Sequence, residues 1–182
     1  MICRRPGFIR FYEWTDFMPS TENNRNTAPP AQILTFQVGG QIYGLGLLSV
    51  VEIGNWSEIR PLPAAPHYIA GVINVRGTAL SVVDMGIFFK ERAQRAEKAA
   101  HTSIILVDLG AVRVGLLVDR VCDIVSMQGV EIQPVPAAGG RESGKVLSGL
   151  AIIGDDIIGL LDLPAFGASI ELPNVTANML NH

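Results

Sequence analysis

Cysteine, histidine and charge are all scarce in this chain of 182 residues: two cysteines, three histidines, and 17% Asp, Glu, Lys and Arg against 48% hydrophobic residues. Cys3 and Cys122 have no CxxC partner and no Cys or His at metal-ligand spacing, so neither a disulfide framework nor a structural metal is expected. Cys122, inside an apolar run, reads as a small buried hydrophobe, and such usage suits a reducing cytoplasm. His67, His101 and His182 stand apart from any Ser or Cys partner, and no GxSxG, P-loop, HExxH or GxGxxG sequence occurs. No catalytic residue, cofactor or metal is assigned. A net charge of −3 with no lysine/arginine cluster excludes electrostatically driven nucleic-acid binding. Long apolar runs are missing too. Gly44–Val51 and Ile157–Leu161 fall far below the roughly 18 residues that span a bilayer, so direct membrane insertion is not expected.

The first 31 residues read as an extension and disordered linker. Met1–Phe17 mixes Phe8, Phe11, Tyr12, Trp14 and Phe17 with three arginines and lacks the continuous apolar core of a secretory signal. Two expectations stand side by side: translation from Met18, or a short docking peptide anchored by those aromatics. Pro19 to Pro30 is polar and Pro-rich, as linkers are.

From Gln32 to Phe166 the signal is of strands. Short Val/Ile/Leu runs are cut by Gly and Pro every 8–12 residues or so. Expected strands are Ile33–Val38, Gln41–Gly46, Val50–Ile53, Val72–Val75, Ala79–Asp84, Ser103–Leu109, Ala111–Val118, Ile124–Met127, Leu150–Ile153 and Asp156–Leu161. Gly39-Gly40 marks a two-residue hairpin, and Asp108–Ala111 a second tight turn. Lys90–Ala100 is highly charged and Ala-rich, with almost no apolar face, and reads as a solvated connector between halves 32–89 and 101–166. The polar tail 167–182 shows no amphipathic period.

The two halves repeat each other. Gly44-Leu45, Val50-Val51-Glu52-Ile53, Ile59-Arg60-Pro61, Gly71-Val72-Ile73 and Val82-Val83-Asp84 recur in order as Gly115-Leu116, Val121-Cys122-Asp123-Ile124, Ile132-Gln133-Pro134, Gly149-Leu150-Ala151 and Leu160-Leu161-Asp162. The offset grows from 71 to 73 to 78, as small loop insertions would make it. Two small β units would bury an apolar seam between them.

One polar constellation breaks this pattern. Asn74-Val75-Arg76-Gly77 sets an Asn and an Arg in a tight turn, and Glu52 lies on an apolar strand of the same copy. The equivalent Ile152-Ile153-Gly154-Asp155 has neither Asn nor Arg. Arg76 then belongs either to a binding edge or to a surface ion pair with an acid such as Glu52. The remaining acids, Asp84, Asp108, Asp119, Asp123, Asp155, Asp156 and Asp162, sit at strand ends and turns, where Asp bonds local backbone.

Phe36-x-Val38, Tyr43-Gly44-Leu45, Val50-x-Glu52-Ile53, Ile59-x-Pro61-x-Pro63, Ile69-x-Gly71-Val72-x-Asn74-x-Arg76-Gly77, Val83-Asp84, Val114-Gly115-Leu116-x-Val118-Asp119 and Leu147-x-Gly149 together resemble the CheW-like coupling domain of bacterial chemotaxis over residues 32–166. The resemblance implies an all-β fold of two SH3-like five-stranded β-barrels on a shared hydrophobic seam. It also implies a non-enzymatic adaptor, cytoplasmic and recruited to membrane-associated receptor arrays. Its partners would be the regulatory domain of a CheA-type histidine kinase and the cytoplasmic tip of methyl-accepting chemotaxis receptors. Carried over by residue, Val50 and Glu52 would lie on or beside the receptor-binding surface. Asn74, Arg76 and Gly77 would belong to the same region, with Arg76 paired to Glu52. With no receiver domain in the chain, a bare coupling domain is expected rather than a CheV-type fusion. Two alternatives remain: a CheW-fold scaffold repurposed for surface motility or protein localisation, and a metal-dependent β-barrel hydrolase using Asp84 and Asp162.

Overall fold

The computed structural model describes residues 30–55, 58–91, 102–136 and 142–173. The aromatic N-terminal segment, nearly all of the linker and connector, and the end of the tail lie outside the described residues. Strands form at each of the expected apolar runs: β1 Gln32–Val38, β2 Gln41–Gly46, β3 Val50–Asn55, β4 Ile69–Val75, β5 Thr78–Asp84, β6 Ser103–Asp108, β7 Arg113–Val118, β8 Arg120–Ser126, β10 Leu147–Ile153 and β11 Asp156–Leu161. The short β9, Glu131–Gln133, and three short helices, α1 Met85–Phe88, α2 Glu142–Lys145 and α3 Leu163–Ser169, were not among the expectations.

The architecture is mainly β, as expected, in two sheets ordered β8-β1-β2-β11-β10-β9 and β3-β6-β7-β5-β4. One sheet therefore has six strands rather than five. In the other, the place of β9 is held by a single bridge between Arg60 and Val72. The two sequence halves do not each build one sheet. β1 and β2 of the first half sit with β8 to β11 of the second, while β6 and β7 sit with β3 to β5. Read copy against copy, each sheet takes two strands from one repeat and the rest from its mate, four in the six-stranded sheet and three in the five-stranded one. The two parallel junctions are β2 with β11 and β7 with β5, and the halves also meet in the antiparallel pairs β1 with β8 and β3 with β6.

The glycines that open the repeat sit beside this exchange. Gly44 and Gly115 lie at the two junctions, where a β-carbon would come 2.7 Å from Ile33 Cδ1 and 2.9 Å from Ile104 Cγ2 respectively. The tightest approach at each is to the hairpin partner in the same half, β1 for Gly44 and β6 for Gly115, and Ile158 Cγ2 and Val82 Cγ2 of the exchanged strands follow at 3.2 and 3.3 Å, so a side chain here would crowd both neighbours. Other correspondences follow the drifting offset. β4 and β10 break register at Ile69/Gly71 and at Leu147/Gly149, and β3 and β8 carry matching register breaks at Val50/Glu52 and opposite Leu34/Phe36.

Packing follows from strand alternation with both faces covered. Ile105 and Val107, Val114, Leu116 and Val118, and Leu34, Phe36 and Val38 point into one cluster shared by both sheets. The alternate residues Ile104, Leu106 and Leu117, with Val82 and Ile73, fill the inside of the five-stranded sheet. Ile33, Ala151, Ile158 and Leu160 do the same for the six-stranded sheet. Phe88, Phe89 and Phe166 bring α1 and α3 onto the shared cluster, Phe88 edge-on to Phe166 with centroids 5.1 Å apart. Ile170 is buried and Leu172 packs on the same cluster, so the folded unit runs past Phe166 into the expected tail. Cys122 departs from expectation: it is half-buried on β8 rather than fully buried.

At the entry to the connector, Tyr43 stacks on Phe89 at 4.4 Å and faces Glu91. Burial, then the nearby Glu91 carboxylate and its hydrogen bond, push the Tyr43 phenol up to about 12 and keep it a donor.

Val82 is fully buried inside the five-stranded sheet. Val82→Asp should therefore cost several kcal/mol, the price of an unpaired charge in apolar surroundings. Chemical denaturation should show the variant largely unfolded; a cooperative transition near wild type would contradict the register described.

Candidate docking edge

β3 and β4 are the end strands of the five-stranded sheet, β4 carrying the Arg60–Val72 bridge on its outer side, and both border one opening. A shallow depression of about 60 Å³ marks it, lined by Glu52, Gly54 and Asn55 of β3, Ile73 and Val75 of β4, and Ile104 and Leu106 on the floor. Across this gap the Arg76 guanidinium reaches the Glu52 carboxylate at 3.6 Å. The sequence placed Arg76, Asn74 and Gly77 in one turn and Glu52 some twenty residues away. The fold brings all four to one edge.

The turn is built locally. Arg76 and Gly77 both have positive φ, 52° and 87°, which matches the twist of a tight antiparallel hairpin. The Asn74 side chain fixes the turn by accepting from the Gly77 amide at 2.8 Å. Glycine suits the second position. Arginine does not suit the first, because a side chain in the left-handed region costs about 1–2 kcal/mol. The mate position in the β10–β11 hairpin is Gly154, with φ 62°. The fold thus needs only a residue that tolerates positive φ there, and one copy meets the need with glycine. Arg76 brings a charge that the turn itself does not require.

The ion pair does little to offset that cost. The Arg76 side chain is 87% exposed and Glu52 37%, so solvent screening holds the pair to about 0–1 kcal/mol. Val50, the fifth expected site residue, lies half-buried at the start of β3 and packs against the shared cluster. It supports the edge from behind and offers little of its own surface. Between Val50 and Glu52 the ladder with β6 slips by one residue, and the extra residue, Val51, is exposed. Val51 does not stand out in the sequence, because it closes the apolar run Gly44–Val51.

The carboxylates proposed for a hydrolase are already engaged. Asp84 accepts from the Gly86 and Ile87 amides at 3.0 and 3.2 Å and caps α1. Its mate Asp162 accepts from the Ala165 amide at 2.9 Å and caps α3. Both are helix N-caps. Asp108 and Asp119 likewise hold turn amides of Gly110 and Gly39, each at 2.7 Å.

A rigid double-sheet body with capped carboxylates and a polar edge spanned by a surface ion pair has the form of an interaction module. A family model, the CheW-like domain, matches residues 32–171. The chemotaxis protein CheW of Rhizobium meliloti (strain 1021) is 34% identical over 140 residues, covering 77% of this chain and 89% of that protein. The chemotaxis protein CheW of Klebsiella aerogenes is 28% identical over 141 residues, covering 78% and 84%. Among solved structures, the scaffolding protein TtCheW from Thermoanaerobacter tengcongensis matches with a TM-score of 0.65 at 26% identity, covering 78% of this chain and 90% of that one. The chain belongs to the CheW-like family and is a chemotaxis adaptor.

Because Arg76 is strained and weakly paired, removing it should not harm the fold. Arg76→Asn, which keeps a residue tolerant of positive φ, should shift stability by less than about 1 kcal/mol in either direction. Thermal melting checks this, and a loss above about 2 kcal/mol would make Arg76 a structural residue.

Proposed function

We propose that this adaptor couples methyl-accepting chemoreceptors to a CheA-type histidine kinase, and that the edge formed by Val50, Glu52, Asn74, Arg76 and Gly77 meets the cytoplasmic tip of the receptor. The observation that carries the reading is the asymmetry at Arg76. A strained, exposed arginine bridges two sheet edges in one copy of the repeat, where the other copy has glycine. A charge that costs the fold and is not needed by it is best accounted for by a partner. The regulatory domain of the kinase, taken as a similarly folded module, would meet apolar edge residues elsewhere on the body. The role is non-catalytic in this reading. Among the described residues no helix is long and apolar enough to cross a membrane, and recruitment to membrane-associated arrays runs through the receptors.

The test is co-sedimentation of the full chain with the kinase and a receptor cytoplasmic fragment from the same organism, scoring recruitment and ATP turnover together. Wild type should recruit the kinase and raise its turnover. Arg76→Asn and Glu52→Ala should each cut that activation roughly tenfold while melting like wild type, as loss of a central interface charge does. Binding to neither partner would instead favour a scaffold serving another pathway.

A further inference from the structure

We propose that Cys122 is a redox site: its sulfur pairs with that of Cys3, and the disulfide ties the aromatic N-terminal segment to the outer edge of β8. The proposal goes beyond the adaptor reading and does not draw on it. The chain holds two cysteines, one in the segment before the fold and one on β8. No free thiol occurs among the described residues, where Cys122 is the one cysteine. Cys3 is then the single intramolecular partner that the sequence offers. Short spacing motifs carry no signal for a pair 119 positions apart.

Local structure keeps Cys122 out of the core. Leu34 faces Ile124 and Phe36 faces Val121, so Cys122 and Asp123 together oppose Thr35. That is a β-bulge, and bulges re-aim side chains. Thr35 Oγ1 holds it, donating to the Asp123 carbonyl at 2.8 Å and accepting from the Asp123 amide at 3.0 Å. Val121 and Ile124, on either side of the bulge, pack against the shared cluster, while Cys122 stays half-buried. The mate position is Val51, in the matching break of β3 and 44% exposed. The fold accepts an ordinary apolar side chain here and does not call for sulfur.

The N-terminal segment is long enough to reach. β8 is an end strand of the six-stranded sheet, and no described strand lies on its outer side. Gln32 pairs with Ser126, and the Met127 amide donates to the Ala31 carbonyl at 2.9 Å, so the chain enters the fold beside the end of β8. Cys122 lies four residues back from Ser126, about 13 Å along a strand. The 28 residues between Cys3 and Gln32 have an r.m.s. span of about 30 Å as a flexible chain. Joining the two thiols in one chain also gives each a high effective concentration at the other.

The step needs one oxidant, a small-molecule disulfide such as oxidised glutathione. One cysteine thiolate attacks it, forming a mixed disulfide and releasing one thiol. The other cysteine thiolate then attacks the protein sulfur of that mixed disulfide, closing the Cys3–Cys122 bond and releasing the second thiol. Two electrons pass to the oxidant, and the two cysteine protons leave with its thiols. Excess thiol runs the exchange backward. Redox state then decides whether Phe8, Phe11, Tyr12, Trp14 and Phe17 are tied to the β8 edge or released from it.

The experiment equilibrates the full chain with oxidised or reduced glutathione, alkylates the remaining thiols and measures intact mass. The reduced chain should take two adducts and the oxidised chain none, with peptide mapping joining Cys3 to Cys122. Cys122→Val, which carries the mate's residue, should melt like wild type and lose the link. Two adducts after oxidised glutathione, a link only between chains, or glutathione retained on Cys122 would overturn the proposal. So would a natural protein whose intact mass begins at Met18, since that chain lacks Cys3. None of these outcomes bears on kinase recruitment, so the adaptor reading is judged separately.

Discussion

The two parallel junctions, β2 against β11 and β7 against β5, constrain everything else in this molecule, because through them each sheet is completed by strands from the opposite half of the chain. A five-stranded unit of this size buries too little apolar area to hold together well alone. Exchanging strands makes the two units one cooperative body, with a shared cluster that draws on both sheets and on α1 and α3. The constraint reaches down to single residues. Glycines 44 and 115 sit where a β-carbon would crowd side chains of the hairpin partner and of the exchanged strand together. The N-cap aspartates 84 and 162 sit at the ends of β5 and β11, the strands on the other side of each junction.

A repeated fold makes the differences between its copies informative. Positions that serve folding should agree in type, and the glycines, register breaks and caps do agree. Where the copies differ on the surface, the fold is indifferent and another selective reason is needed. The first copy presents Arg76 and Asn74 at the β3–β4 opening; the second has Gly154 and Ile152 in those places. The second copy also exposes the cross-strand pair Ile152 and Ile157 near its hairpin tip, where the first has Asn74 and Ala79. One pseudo-symmetric body thus carries unlike surfaces at equivalent positions.

Much of this was legible in the sequence, and the limits have physical causes. Strand positions could be read because runs of Val, Ile and Leu cut by Gly and Pro leave few other options. The repeat could be read because its punctuation, such as Gly44 with Gly115 and Asp84 with Asp162, does fixed backbone work. Which strand pairs with which could not be read. When both faces of a strand are buried, as for Ile104 to Val107, apolar residues run on continuously and alternation no longer tells partner from partner. Sheets assembled from swapped halves look the same in sequence as sheets assembled from whole ones. Arg76, Asn74 and Glu52 stood out because they are polar amid apolar surroundings. Val51 did not, because an exposed Val and a buried one are the same letter. β9 and the short helices were missed because three to seven residues carry too little periodicity to register.

The energetics of the edge fit an adaptor's task. A deeply buried ion pair between β3 and β4 would lock the opening and be costly to break. An exposed pair at 3.6 Å contributes little to the folded state, so its groups can change partners at small cost. The body behind it, with Val82, Leu116 and Phe36 fully buried, has no comparable freedom. A stiff, strand-exchanged core holds Glu52 and Arg76 at a fixed spacing while leaving both charges available. A partner docking at this edge as proposed would lose little free energy to ordering the site, and contacts made through a few exposed side chains would stay reversible.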